Sequence, residues 1–276
     1  MIATLEGNID DDARDINIVM GRFSEIHQTT TDRKWQIRCR QCQYLGPWVA
    51  SLLYAAYLRG IQLHQEPRIT LPSEPAALHA YCVYSGMAQA FGHGPPPSPD
   101  HPECETIPLE QFYTASWDRS NRIINLLRRH TQLSADSEDQ VRICIQEVIQ
   151  NIEDHSQSPI GGVMSARYFR QTNEVRVGIA DRGVGIGTSL RQKHKDIPGA
   201  FAALNRVIQG GYSSHSRANN MGLGVSNLFA LVRSAGGRIA VFSEDAYGHV
   251  HGGATPTVHG TTSGFPGTAV FFSLPI

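Results

Sequence analysis

The sequence predicts an α+β protein of two parts: a smaller N-terminal α/β unit over residues 1–91 and a larger C-terminal α/β sandwich over residues 106–276, a mixed sheet with helices on one face. Three observations carry this. The stretch GHGPPPSPDHPEC removes backbone donors and fixes an extended path, so residues 92–105 read as a proline-rich linker. Before it, the order strand, helix, strand is that of one βαβ-like unit. After it, amphipathic helices alternate with strand-like segments, the pattern of helices packed on a sheet.

In the N-terminal unit, KWQIRCRQ reads as a strand, LGPWVASLLYAAYLRG as a helix opening at a proline, and PRITLP as a second strand. SEPAALHAYCVYSGMAQAF reads as another helix ending near Gly86. Beyond the linker come a strand around IPLEQFYTA, a helix over residues 117–131, and a helix capped at Ser134 or Asp136. Strands GGVMSARYFR and EVRVGIA follow, then a long variable stretch, a helix over residues 224–234, and strands RIAVFSE and TAVFFSLP.

The 276 residues are 41% hydrophobic and 18% charged, with a net charge of −1. That is ordinary globular composition without a polybasic surface, so no nucleic-acid partner is expected. The first residues, MIATLEGNIDDDARDIN, are acidic where a secretory signal is basic, and WVASLLYAAYL is too short to span a bilayer. A cytoplasmic protein without a membrane partner is expected. Five cysteines without framework spacing fit a reducing compartment, and the one CxxC pair, Cys39 and Cys42, reads as two partly buried thiols rather than a metal or redox site.

The candidate chemistry begins in VRICIQEVIQNIEDH. At about 100° per residue, Val141, Cys144, Ile145, Val148 and Ile152 form an apolar stripe that belongs in a core. Glu147, Asn151 and Asp154 gather on a different face, either as a solvated side or as a functional cluster. Farther on, EVRVGIADRGVGIG runs from a strand into a turn where Asp181 can accept a hydrogen bond from an exocyclic amine, and Gly183 and Gly185 let the backbone approach a flat ring. It is not a dinucleotide fingerprint, because no long helix is expected directly after Gly187 and no suitably placed acid follows. In NNMGLGVSNLFALVRSAGGRI, Gly222 and Gly224 precede a helix whose free amides and dipole can face a phosphate.

These three motifs, in this order, resemble the N, G1 and G2 boxes of the GHKL superfamily of gyrase, heat-shock chaperone, histidine kinase and mismatch-repair ATPases. The resemblance covers roughly residues 106–276 and implies the Bergerat ATP-binding fold. It implies that Asn151 gives an oxygen to Mg²⁺, that Glu147 is the general base or orients the attacking group, and that Asp154 belongs to the nucleotide site. Asp181 would select adenine within the DxGxGI box that includes Gly183, Gly185 and Ile186. Met221, Gly222, Leu223 and Gly224 would form the phosphate loop, with Asn220 where the family carries its first glycine. Residues 188–221 would be the ATP lid, in which Arg217 either reaches a terminal phosphate or is solvated. Thr268, in the last strand, either approaches the adenine or is purely structural.

The N-terminal order, with YLGP before the helix, resembles a STAS domain. Its strand-to-helix loop, CRQCQYLGP, lacks the serine or threonine that phosphorylated members carry, so a docking or dimerising role is expected there. The resemblances imply ATP and Mg²⁺ as cofactors, a protein partner and possible homodimers. Three functions stay open: a serine/threonine kinase of the anti-sigma type, an ATPase or ATP-gated switch, and a non-catalytic nucleotide-binding module. A sensor histidine kinase is disfavoured, because His130 lacks the context of an acceptor helix.

Overall fold

The computed structural model describes residues 2–9, 21, 33–97, 105–131, 134–209 and 223–276. The N-terminal half contains β1 (Ile2–Ile9), β2 (Lys34–Leu45), α1 (Pro47–Gln62), β3 (Glu66–Thr70), α2 (Ala76–Tyr84) and the short α3 (Met87–Ala90). The expected βαβ unit is present as β2, α1 and β3, which run parallel. The first residues, to which the sequence reading gave no element, pair parallel with β2 and complete a three-stranded sheet in the order β1-β2-β3. A register shift opposite Thr4 and Glu6 turns the chain between Arg38 and Gln41. Both Cys39 and Cys42 therefore face inward and are fully buried, not partly.

The C-terminal half comprises β4 (Thr106–Phe112), α4 (Trp117–Arg128), α5 (Ala135–His155), β5 (Gly162–Phe169), β6 (Glu174–Asp181), α6 (Gly185–Lys193), α7 (Ala200–Ile208), α8 (Leu223–Ser234), β7 (Arg238–His251) and β8 (Thr257–Pro275). Its strands form one sheet in the order β4-β5-β6-β8-β7. Every ladder is antiparallel, which corrects the expectation of a mixed sheet: alternation of polar and apolar residues reports burial and carries no strand direction. The helix starts follow their caps. Ser134 accepts a hydrogen bond from the Ser137 amide at 3.2 Å, and Asp136 and Glu138 complement the first turn of α5.

The helices of residues 106–276 pack on one face of this sheet, as expected, and the other face is covered by α1 of the N-terminal half. Val175, Val177 and Ile179 of β6 and Val270, Phe272 and Leu274 of β8 share a core with the buried stripe of α5. The alternate residues, Ala180, Ala269 and Phe271, share a second core with Trp48, Val49, Leu52 and Leu53 of α1. Each such large side chain contributes about 1.5–3 kcal/mol on burial, so α1 is as much a part of this sandwich as the helices opposite. The contact is closest at Gly178, whose carbonyl accepts from Ser51 Oγ at 3.0 Å. A Cβ there would lie 2.7 Å from the Trp48 amide nitrogen, and backbone cannot yield as a side-chain tip can. We expect Gly178→Ala to lift α1 from the sheet and lower stability by about 1–3 kcal/mol, read as an earlier midpoint in urea denaturation; an unchanged midpoint would show the halves to be energetically independent.

Past the sheet, β7 and β8 continue as a two-stranded ribbon, Ala246 to His249 pairing with Gly260 to Thr257. Ala246 and Val250 of the ribbon join the core with Val207 and Ile208 of α7, so the ribbon props α7 over one end of the sheet. Among the described residues, no helix is long and apolar enough to cross a membrane.

Candidate functional site

A hollow of about 630 Å³, counting its open mouth, lies between α5, the ends of β6 and β8, and helices α6, α7 and α8. Its walls are apolar, with Ile179, Leu190, Val207, Val225 and Val270, and a few polar groups converge on it. Of the residues expected from sequence, it brings together Asn151, Asp181, Gly185, Ile186 and Thr268. His155, Ser156 and Ser189 line it as well.

Asp181 is the last residue of β6 and only 2% exposed. Its carboxylate accepts from the Gly183 amide at 2.7 Å and from the Thr268 amide. Burial pushes its pKa up to about 7, and these two amides and the neighbouring Arg182 oppose that rise without cancelling it. Burial thus desolvates this carboxyl, and the two amides hold it in place. Thr268 thus acts through its backbone on Asp181 while its side chain hydrogen-bonds Ser243 Oγ at 3.3 Å.

Gly183 is fixed by close approach, since a Cβ would overlap the carbonyl oxygen of Ser156 at the end of α5. The Val184 amide donates to that same carbonyl at 2.8 Å, tying the asparagine-bearing helix to the turn after β6. Gly185 has φ +82°, a conformation that favours glycine, and there α6 begins. This helix is short, nine residues, and begins within the glycine turn rather than after Gly187. The stretch read as a lid likewise contains most of α6 and all of α7.

Two residues that sequence reasoning missed hold the start of α6. Ser243 Oγ accepts from the Ile186 amide at 2.7 Å, and Glu244 accepts from the Thr188 amide at 2.8 Å and its hydroxyl at 2.7 Å. Glu244 also pairs with Arg191 at 2.9 Å. Two first-turn amides of α6 are therefore already taken up by the protein, and the Glu244 carboxylate beside them makes this helix end poorly suited to a phosphate. The signal lay in the SE of RIAVFSE, but partners more than fifty residues apart cannot be read from local pattern.

The remaining expected residues lie around the start of α8. Gly224 sits so close to α5 that a Cβ would fall 2.5 Å from the Glu147 Cβ. Glu147 is half-buried, its Oε2 has no hydrogen-bond partner, and burial raises its pKa while a hydrogen bond from Asn227 opposes the rise. It stands one helical turn from Asn151, outside the lining of the hollow and against the N-terminal turn of α8. Asp154 is exposed and does not line the hollow. Leu223 opens α8, while Arg217, Met221 and Gly222 lie outside the described residues.

Asn151, on the wall of the hollow, offers an amide oxygen, a hard donor that suits Mg²⁺ when phosphate and water complete the shell. Comparison with protein-family models matches residues 136–276 to the family described as Histidine kinase-, DNA gyrase B-, and HSP90-like ATPase, slightly more than half the chain. No curated protein matches the chain.

Proposed function

The chain belongs to the family of histidine kinase-, DNA gyrase B-, and HSP90-like ATPases, and from that premise we propose that it is a Mg-ATP-dependent serine/threonine protein kinase of the anti-sigma type. ATP binding is the function its family carries. The observation that supports a catalytic role is the placement of Glu147: a half-buried carboxyl with raised pKa and an unpartnered oxygen, one turn from Asn151 and against the start of α8. Such a group is suited to take the proton of an attacking hydroxyl. Asn151 would hold Mg²⁺, which supplies charge neutralisation on the phosphates when bound. Asp181, with the Thr268 and Gly183 amides behind it, would receive the adenine amino group.

In this reading residues 106–276 are the nucleotide-binding domain and residues 1–91 the docking or dimerising element, with a cytoplasmic protein partner supplying the acceptor hydroxyl. The second reading is hydrolysis, with water in place of that hydroxyl and nucleotide gating an interaction; the same Glu147 serves both. Labelled γ-phosphate separates them. Transfer to a protein serine or threonine supports the kinase, release as free phosphate supports the ATPase, and binding with neither overturns both.

A further inference from the structure

A second cleft opens where the N-terminal half meets the far ends of β5 and β6, about 1520 Å³ counting its mouth. Tyr44, Tyr81, Glu105, Arg167, Arg170 and Arg176 are among its lining residues. Arg176 is five residues from Asp181 on β6, about 17 Å along the strand. An odd step along a strand also reverses the face, so this cleft and the nucleotide hollow lie on opposite sides of the sheet.

The charges here are arranged unusually. Arg167 and Arg176 stand directly opposite each other across β5 and β6, a like-charge pairing that destabilises a sheet unless something compensates it. Arg176 is compensated: its Nε donates to Glu174 at 2.7 Å, and its Nη1 to the Tyr44 hydroxyl at 2.9 Å. That single carboxylate is shared with Arg238 at 2.8 Å. Glu105 is taken up by Arg170 at 3.2 Å. Arg167 makes no ion pair or side-chain hydrogen bond among the described residues. Its guanidinium lies over the Tyr81 ring at 4.4 Å and near the Phe169 ring at 5.1 Å, and Phe169 in turn meets Arg176 at 4.4 Å. The guanidinium thus packs against two aromatic rings, and no acceptor among the described residues takes up its N–H groups.

We infer that this cleft is a binding site for a phosphate monoester, with Arg167 as its principal ligand. A planar fork already oriented by aromatic faces matches two phosphate oxygens, and losing little freedom on binding favours it further. Three arginines and one glutamate are the charged residues that line the cleft, and this positive lining suits a dianion better than a carboxylate with one charge. The monoester is carried either by a small molecule or by a phosphorylated side chain. The inference does not rest on the nucleotide hollow.

The test is an amide NMR titration of the full chain with phenyl phosphate, repeated with a short phosphoserine peptide and with benzoate. Saturable shifts are expected at Arg167, Phe169 and Thr172, with Gly183 and Gly185 unmoved. Benzoate should bind about tenfold more weakly or worse; the tighter of the two phosphorylated probes identifies the source. Arg167→Gln should weaken binding about tenfold, and Arg167→Lys, which keeps the charge and stacking stem but loses the fork, about fivefold. Should the glutamine variant fail to fold, the lysine variant carries the test. Absence of saturable shifts, shifts at the nucleotide loops alone, or equal affinity in the folded variants would overturn the inference.

Discussion

Glu147→Gln lowers phosphoryl transfer or hydrolysis by about 10²–10⁴-fold while Mg-ATP affinity stays within about threefold. The substitution keeps the size of the side chain and its contact with Gly224, so the crossing of α5 and α8 survives. What it removes is the ability to accept a proton, in a carboxyl whose pKa burial raises above its ordinary value. Labelled ATP reads the transfer and equilibrium binding reads the affinity. Loss of affinity in parallel with activity would assign Glu147 to binding, and full activity would remove it from the chemistry.

The second large effect is a pH dependence set by Asp181. With its pKa near 7, the carboxyl is substantially protonated in the nucleotide-free protein at mildly acidic pH. The adenine amino group donates a hydrogen bond and needs the ionised form, so affinity should be highest above pH 7 and fall about tenfold per unit below it. Asp181→Asn, which cannot ionise, should bind weakly and with a flat profile. The same shift acts on folding with the opposite sense. A carboxyl whose folded pKa exceeds its unfolded value stabilises the fold most below the unfolded value of 3.8, and that contribution is lost as pH rises toward about 7. The melting temperature of the nucleotide-free protein, measured against the asparagine variant, should therefore decline by several degrees between pH 5 and pH 8, and added ATP should recover most at the higher pH. A flat difference would mean that Asp181 is solvated in the free protein.

Much of this site was legible because its determinants are local. The stripe from Val141 to Ile152 has helical period and is buried as that period requires, so Asn151 fell on a wall that faces the ligand hollow. Asp181 ends a strand whose eight residues are all buried, and DxGxGI marks the turn after it. The parts that escaped depend on distant partners. Gly178 reads as an unremarkable strand residue until Trp48 is laid against it from the other half of the chain. Ser243 and Glu244 hold the start of a helix, GIGTSLRQK, that has no side-chain cap of its own. The extra residue that turns both Cys39 and Cys42 inward is visible only against the register of β1. Asp154 shares helical spacing with Asn151, yet it is exposed and does not line the hollow that its neighbours His155 and Ser156 line.

The account stands on one spatial claim, that Asp181 receives the base and Asn151 the metal of a single nucleotide. Calorimetric titration with ADP, with and without Mg²⁺, tests it most directly. Asp181→Ala should weaken binding at least about tenfold in both conditions, whereas Asn151→Ala should do so only when Mg²⁺ is present. A folded Asp181→Ala protein that binds ADP as tightly as the parent, or an Asn151→Ala effect indifferent to the metal, would contradict it.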